Sequence, residues 1–307
     1  MSRGAVAQER HEFTAVHMGV PVRIVLHASN ESVAREAARA AYERVAELDG
    51  KMSDYREGSE VRRLSARSRE WQSVSPDLLR VLALAREVSR WSDGAFDVTV
   101  GPLVRVWRES RRSGRLPGED VVSRARSRTG WRLLEVDTVL SRVRLMADSM
   151  SIDLGGIAKG YVLSEALEVL RALGVGSAMV EAGGDLVVGD APPGRAGWSV
   201  EIPGADPATR EYAKVLVNMA VATSGGSEQF VEIGGVRYAH VVDPRTGLGL
   251  VNAGAVTVMA RRGEVADAVA TATLVLSGGG IRDLGRPVLG GVLRVVIRPA
   301  GSPGGPG

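Results

Sequence analysis

The stretch SIDLGGIAKGYVLSEALEVLRALGVGSAMVEAGGDL, residues 151–186, constrains the fold more than any other part of the chain. It begins with a short strand pattern that ends at Asp153 and continues with an amphipathic helix pattern over 157–172. It then returns as strand, turn and strand over 177–190. Strands and a helix that alternate over so few residues predict helices packed against a sheet.

The same stretch predicts a corner that can receive an anion. Gly155 and Gly156 let the backbone approach a ligand closely, and the helix after them presents unpaired N–H groups at its start. Lys159 lies in the first turn, where its positive charge adds to the attraction of a helix N-terminus for phosphate. Many glycine-flanked turns only reverse the chain, so this motif alone leaves both interpretations open.

Strand and helix patterns continue along the rest of the chain. Apolar alternation predicts strands at 18–28, 198–202, 214–222, 229–233, 237–242, 254–260 and 292–297. Helical spacing predicts helices at 32–52, 76–91 and 265–277, and a hairpin or strand pair is expected at 140–154. We therefore expect one large domain of mixed α/β (α+β) class.

The expected boundaries of this domain follow from the two ends of the chain. The domain is expected over 15–298, after a flexible N-terminal extension at 1–14. The final residues 299–307 are rich in glycine and proline and are expected to be disordered.

Composition excludes several classes of site. The 307 residues can bury a sizeable core, and they contain no cysteine, which excludes disulfides, thiol catalysis and cysteine-ligated zinc. No apolar run approaches the roughly 20 residues of a membrane span, and no signal peptide is visible. The chain as written is therefore expected to be cytoplasmic.

The segment 105–128 contains eight arginines. Such a run is typical of a solvated helix-and-loop face, although it could also attract an anionic partner. The sequence has no zinc-finger spacing or RNA-binding signature, so we expect no nucleic-acid partner.

A possible metal-binding pair lies in the last predicted helix. Asp267 and Thr271 are four residues apart and so project from the same helix face. A carboxylate and a hydroxyl are hard oxygen ligands of the kind that Mg²⁺ prefers. The alternative is an aspartate that offsets the helix dipole beside a threonine that bonds its own backbone.

The segment YAHVVDPRTGLGL, residues 238–250, combines a tight turn with a histidine. The sequence Asp-Pro-Arg-Thr-Gly at 243–247 is typical of a turn between strands. His240 precedes the turn and could act as an acid or base near neutral pH, although a single strand histidine is more often structural.

In order and type, these segments resemble the ApbE family, FAD:protein FMN transferases that attach FMN covalently to a threonine or serine of another protein. The matching segments are HMGVPVRIV (17–25), KMSDYREGSEVRRL (51–64), DGAFDVTVGPLVRVW (93–107), DLGGIAKGY (153–161), EAGGDL (181–186), ATSGG (222–226), HVVDPRTG (240–247) and ADAVATATLVLSG (266–278). The resemblance implies one large T-fold-like domain in which helices flank mixed sheets.

The resemblance also implies a role for individual residues. The positions that match family contacts to FAD are Met18, Tyr55, Ala95, Phe96, Asp97, Asp153, Lys159 and Leu250. Tyr55 is expected to stack on a ring of the dinucleotide. A Mg²⁺ ion is expected on Asp267, Thr271 and the backbone carbonyl of Gly156.

The implied chemistry is transfer of FMN from the substrate FAD to an acceptor flavoprotein that carries the target threonine or serine, with release of AMP. His240 is our first candidate for the base that takes the hydroxyl proton, and a metal-associated carboxylate is the second. Three alternatives stay open, namely an FAD pyrophosphatase, a non-catalytic flavin-binding protein, and a module that binds an anionic partner through the arginines of 105–128.

Two residues depart from the family pattern. Gly249 replaces a usual proline, which predicts a looser loop and a less certain contact at Leu250. Glu181 replaces a small or amide residue and is expected to add a charge near the ligand. Asp185 is expected to brace the turn at the second glycine pair.

Overall fold

The computed structural model describes residues 8–202, 214–226, 230–278 and 291–298. Its helices are α1 (Glu31–Met52), α2 (Glu60–Ala66), α3 (Pro76–Trp91), α4 (Gly101–Ser113), α5 (Glu119–Arg126), α6 (Ala158–Ala172) and α7 (Gly263–Ser277), with a 3-10 turn at Trp131–Leu133. Its strands are β1 (Glu9–His17), β2 (Val20–Ala28), β3 (Gln72–Ser73), β4 (Leu134–Asp137), β5 (Arg142–Leu145), β6 (Ala178–Ala182), β7 (Asp185–Val188), β8 (Trp198–Val200), β9 (Lys214–Leu216), β10 (Met219–Gly225), β11 (Phe230–Ile233), β12 (Val236–Val242), β13 (Gly249–Val251), β14 (Ala255–Ala260) and β15 (Val292–Arg298).

A seven-stranded sheet organises the domain, in the spatial order β1-β2-β6-β7-β10-β14-β15. Each neighbouring pair of strands in it is antiparallel. Because successive residues point to opposite faces, Ile24 joins the main core and Val25 joins a second core on the other face. Helices α1, α6 and α7 pack on the main-core face, and Trp198 and Leu216 from the β8-β9 pair cover the other. Helices on sheets within one domain confirm the expected fold class.

The four predicted helices form close to their expected positions. Helices α1, α3 and α6 bury an apolar stripe, α7 is buried on nearly every side, and α1 and α3 also have a start signal. Asn30 precedes α1 and its side chain accepts a hydrogen bond from the Val33 N–H at 3.0 Å. Ser75 precedes α3 and accepts from the Leu78 N–H at 3.3 Å, with Pro76 in the first turn. Helix α7 begins two residues earlier than expected, at Gly263.

The N-terminal boundary differs from the expectation. Strand β1 begins at Glu9 and pairs along its whole length with β2, from Glu9 opposite Ala28 to His17 opposite Val20. The flexible extension expected at 1–14 is therefore wrong for residues 9–14, and residues 1–7 lie outside the described part of the chain. The tail at 299–307 also lies outside it.

The strand expected to end at Asp153 is wrong as well. A hairpin forms from β4 and β5, but only β5 lies within the expected range 140–154, because the first strand of the pair ends at Asp137. Farther along, Ser151 makes only an isolated parallel bridge to Val100, and residues 152–154 belong to no strand. Helices α2, α4 and α5 were not predicted. None of the helices in the described ranges combines the length and the apolar character that a membrane crossing requires.

Candidate functional site

A cleft of ≈ 400 Å³ opens between α4, the loop at 153–156, the start of α6, one face of α7, and residues of β10, β12 and β14. Its lining contains ten of the twelve residues predicted for the site. They are Tyr55, Ala95, Phe96, Asp97, Asp153, Gly156, Lys159, His240, Asp267 and Thr271. The topology therefore brings together segments that are more than 200 residues apart in the sequence.

Asp267 is buried in α7 and serves as a cap for a different helix. Its Oδ2 accepts a hydrogen bond from the Gly160 N–H at 3.1 Å. Gly160 is the third residue of α6, so this N–H is one of those that a helix start leaves without an intrahelical partner. Burial raises the pKa of Asp267 to about 7, with a further rise from the charge of Asp185 and an opposing effect from Lys159.

Two glycines allow α6 and α7 to cross closely enough for this contact. A Cβ on Gly160 would lie 2.1 Å from the carbonyl oxygen of Gly263, and a Cβ on Gly263 would lie 2.2 Å from the carbonyl oxygen of Gly160. Neither position can hold a larger side chain without moving a helix. The Gly263 N–H also donates to the Ser164 hydroxyl at 2.8 Å, which ties the start of α7 to the middle of α6.

Thr271 lies one turn beyond Asp267 and meets the first glycine pair. A Cβ on Gly156 would lie 3.0 Å from the Thr271 hydroxyl oxygen, so only a glycine brings its backbone this close. The Thr271 hydroxyl is also 2.9 Å from the Ser224 hydroxyl. A carboxylate, a hydroxyl and nearby backbone form a set of hard oxygen donors that fits Mg²⁺.

The described residues contain no group of three or more His, Cys, Asp or Glu side chains that could hold a metal. A Mg²⁺ ion at this corner would therefore take its remaining ligands from water or from substrate phosphate, as this ion commonly does.

Asp185 anchors Lys159 beside the second glycine pair. The Lys159 Nζ lies 2.6 Å from Asp185 Oδ2, and the other carboxylate oxygen accepts from the Thr223 N–H at 2.9 Å. Burial raises the pKa of Asp185, and Lys159 lowers it. A Cβ on Gly183 would lie 4.0 Å from Lys159 Nζ, so the ammonium group stands beside bare backbone.

Asp153 uses both oxygens within the protein. Oδ1 accepts from the Gly155 N–H at 2.8 Å, and Oδ2 accepts from Arg108 at 3.1 Å. Burial and the charge of Asp54 raise its pKa, whereas the Gly155 N–H and Arg108 lower it. Asp153 therefore shapes the loop before α6 and holds the Arg108 guanidinium in the cleft.

Arg108 connects three parts of the cleft and was not predicted as a site residue. It donates to Asp54 at 2.6 Å as well as to Asp153, and its guanidinium carbon lies 4.5 Å from the centroid of the Tyr55 ring. The Tyr55 side chain remains 71% exposed, so a ligand can still stack on it. In the sequence, Arg108 was indistinguishable from its seven neighbouring arginines.

Asp97 also serves its own loop. Its Oδ1 accepts from the Thr99 N–H at 2.8 Å and from the Thr99 hydroxyl at 2.7 Å, and burial raises its pKa. Ala95 and Phe96, which precede it, are buried in the cleft wall. A Cβ on Gly156 would lie 3.2 Å from the Phe96 ring, so Phe96 packs against the first glycine pair.

His240 lines the cleft from β12, where its side chain is exposed. The neighbouring Ala239 carbonyl accepts a hydrogen bond from the Trp107 indole at 3.1 Å, which fastens β12 to α4. The turn after the strand is held by Asp243, whose carboxylate binds the Arg245 side chain at 2.8 Å.

Met18 and Leu250 are not among the residues that line the cleft. Met18 occupies the turn between β1 and β2 with a φ of 52°. Leu250 is buried in the main core. Their predicted contacts to FAD stay predictions.

The two departures from the family pattern have structural explanations. A Cβ on Gly249 would lie 2.4 Å from the ring of Trp107 in α4, so the glycine leaves room for that ring. Gly249 is the first residue of β13, so the looser loop expected there is wrong. Glu181 pairs with Arg23 at 2.6 Å on the neighbouring strand and does not line the cleft. The charge expected beside the ligand is therefore neutralised elsewhere.

Comparison with known proteins gives a consistent result. The profile of the ApbE family matches residues 18–286. A FAD:protein FMN transferase of Vibrio cholerae is 31% identical over 237 residues, which cover 75% of this chain and 70% of the relative. One from Chlamydia muridarum is 29% identical over 266 residues, which cover 85% and 82%.

Solved structures agree with the sequence comparison. The crystal structure of the ApbE protein from Thermotoga maritima matches with a TM-score of 0.79 at 32% identity, over 88% of each chain. The apo flavinyl transferase ApbE of Pseudomonas stutzeri matches with a TM-score of 0.78 at 30% identity, over 88% of this chain and 85% of that one. The family profile spans most of the sequence, and this chain belongs to the ApbE family.

Proposed function

We propose that this protein transfers FMN from FAD to a threonine or serine hydroxyl of an acceptor protein, with Mg²⁺ and with release of AMP. The observation that carries the proposal is the buried Asp267 carboxylate, one turn from Thr271 in the lining of a cleft. Family membership and relatives named FAD:protein FMN transferases support flavin transfer as the class of reaction.

Asp267, Thr271 and the backbone of Gly156 would hold the metal. When bound, Mg²⁺ would supply Lewis-acid stabilisation of the negative charge that develops on the phosphates. The neighbouring ammonium of Lys159, fixed by Asp185, adds a second positive charge at the start of α6.

The remaining cleft residues orient the dinucleotide. The exposed ring of Tyr55 offers an aromatic face for stacking, and Arg108 limits its movement by lying over the ring. Rigid placement of this kind supplies much of the catalysis in phosphoryl transfer, where the protein has little covalent chemistry to perform.

His240 is the proposed base. The acceptor hydroxyl oxygen attacks the phosphorus on the FMN side, and His240 takes the hydroxyl proton as the new O–P bond forms. The bond from that phosphorus to the bridging oxygen breaks, and AMP leaves with the electron pair. Because the imidazole is exposed in the cleft, it is accessible to an acceptor chain and can return the proton to solvent.

The test uses purified protein, FAD, Mg²⁺ and a candidate acceptor domain. Release of AMP and a fluorescent, FMN-sized mass addition on the acceptor are measured together. Asp267→Asn keeps the size of the side chain but removes the charge, and should abolish both products. Asp148→Asn is the matched control, because Asp148 is 72% exposed and pairs only with Arg69 among the described residues.

The outcomes separate the possible reactions. AMP and labelling that are both lost in Asp267→Asn would support the transferase. AMP without labelling of any acceptor would favour an FAD pyrophosphatase, and FAD binding without AMP would leave a flavin-binding protein. A His240→Ala variant with near wild-type turnover would remove His240 from the role of base.

A further inference from the structure

The cleft contains four arginine or lysine side chains among its described residues, and two of them have no anionic partner there. Arg108 pairs with Asp54 and Asp153, and Lys159 pairs with Asp185. Arg111 and Arg298 form no ion pair with any described residue, although both line the cleft.

Arg298 is the more unusual of the two. It is the last residue of β15 and only partly exposed, and its Nε is buried without a hydrogen-bond partner among the described residues. A buried guanidinium N–H that donates to nothing costs free energy, because water no longer solvates it. A bound anion in the cleft would remove that cost.

Arg298 ends the edge strand β15 and lines the same cleft as the proposed metal corner. Arg298 lies opposite Ala255 on β14, and Ala255 lies opposite Gly225 on β10. Directly opposed residues share a face of the sheet, and these two neighbours are small, so no large side chain stands between Arg298 and β10. Ser224, whose hydroxyl oxygen is 2.9 Å from that of Thr271, lines the same cleft from the other face of the sheet.

We propose that Arg298 binds a phosphate group of the dinucleotide in this cleft. The proposal rests on the proposed function for the identity of the ligand. A guanidinium presents paired N–H donors that match two phosphate oxygens, whereas a lysine offers a single point of charge. The match to the ApbE family profile ends at residue 286, so Arg298 lies in a part of the chain that the family match does not cover.

The test is a binding experiment that does not depend on turnover. The Kd of FAD is measured with Mg²⁺ by quenching of flavin fluorescence, and riboflavin serves as the probe without phosphate. Arg298→Met should weaken FAD binding about 10- to 100-fold, the range expected for loss of charge-assisted hydrogen bonds, and leave riboflavin binding unchanged. Arg298→Lys should retain part of the affinity for FAD.

Arg294→Met is the matched control, because Arg294 lies on the same strand but does not line the cleft. It should leave both Kd values within about twofold of wild type. The proposal is overturned if Arg298→Met binds FAD as tightly as wild type, or if it weakens riboflavin and FAD equally. If Arg298→Met does not fold, Arg298→Lys decides by the same comparison.

Failure of the proposed function would look different. Protein that releases no AMP and labels no acceptor, yet loses FAD affinity in Arg298→Met, would refute the transferase and retain the phosphate site. If AMP release and labelling persist and Arg298→Met binds FAD as tightly as wild type, the phosphate site is refuted and the transferase is retained.

Discussion

The crossing of α6 and α7 makes a quantitative prediction about Gly160. A Cβ at this position would lie 2.1 Å from the Gly263 carbonyl oxygen, whereas ordinary contact begins near 3.4 Å, so the helices must separate by about 1.3 Å. The clashing atom is the Gly263 carbonyl oxygen, and a backbone atom cannot move away by changing rotamer as a side chain can. The cost of overpacking should therefore lie at the upper end of the usual range of about 1–3 kcal/mol.

Separation of the helices also lengthens the hydrogen bond from the Gly160 N–H to Asp267. A hydrogen bond to a charged group contributes about 1.5–3 kcal/mol. Replacing glycine by alanine in a helix returns about 0.5–1 kcal/mol. We therefore expect Gly160→Ala to lower the free energy of unfolding by about 3.5–5.5 kcal/mol and the Tm by about 7 °C or more.

Gly50→Ala is the matched control, because Gly50 also lies in a helix and a Cβ there would meet only an Arg56 nitrogen at 3.8 Å. That substitution should be neutral or raise stability by up to about 1 kcal/mol. Urea unfolding and calorimetry of the two variants give the comparison. Similar Tm values for Gly160→Ala and Gly50→Ala would refute the argument that the helix crossing requires glycine.

Two further substitutions test ion pairs. Burial raises the pKa of Asp77, but hydrogen bonds from Arg44, Lys51 and Tyr161 hold that pKa well below its usual range. The ionised Asp77 therefore stabilises the fold above about pH 4, and this stabilisation is lost as the pH falls. Asp77→Asn should cost about 3 kcal/mol at pH 7 and flatten the acid side of the stability curve, measured by urea unfolding between pH 3 and 7; an unchanged slope would contradict this. Arg108→Met leaves the Asp153 carboxylate without its cation and should lower the free energy of unfolding by about 2–3 kcal/mol. In a double-mutant cycle, adding Asp153→Asn should recover most of that stability. Additive losses in the double mutant would show that the two residues are not coupled.

The helices predicted from the sequence either bury one apolar stripe, as α1, α3 and α6 do, or are buried on nearly every side, as α7 is. Helices α1 and α3 also have side-chain caps at Asn30 and Ser75, so their starts were visible in the sequence. Helix α4 has no side-chain cap, and its buried Leu103 and Trp107 are interleaved with arginines. Its sequence therefore resembles a solvated surface, and only tertiary packing shows that one side of it lines the cleft.

The same distinction holds for the site. The four-residue spacing of Asp267 and Thr271 correctly placed two oxygens on one helix face of the cleft. The cap that Asp267 provides for α6 depends on a contact between residues 107 positions apart, which no local pattern encodes. The link from Arg108 to Asp153, 45 positions apart, was hidden for the same reason.

Two carboxylates of the 151–186 stretch, Asp153 and Asp185, find their partners within the protein and hold two cations of the cleft in place. Asp153 is satisfied by Arg108 and a backbone N–H, and Asp185 by Lys159 and another backbone N–H. Asp153 therefore fixes Arg108 and the turn at Gly155, and Asp185 fixes Lys159 and the backbone of β10. Asp267 differs, because its hydrogen bond comes from a backbone N–H alone and burial opposes its charge. A cation bound beside it would relieve that opposition, so the least satisfied carboxylate of the cleft is the one with the most to gain from a metal.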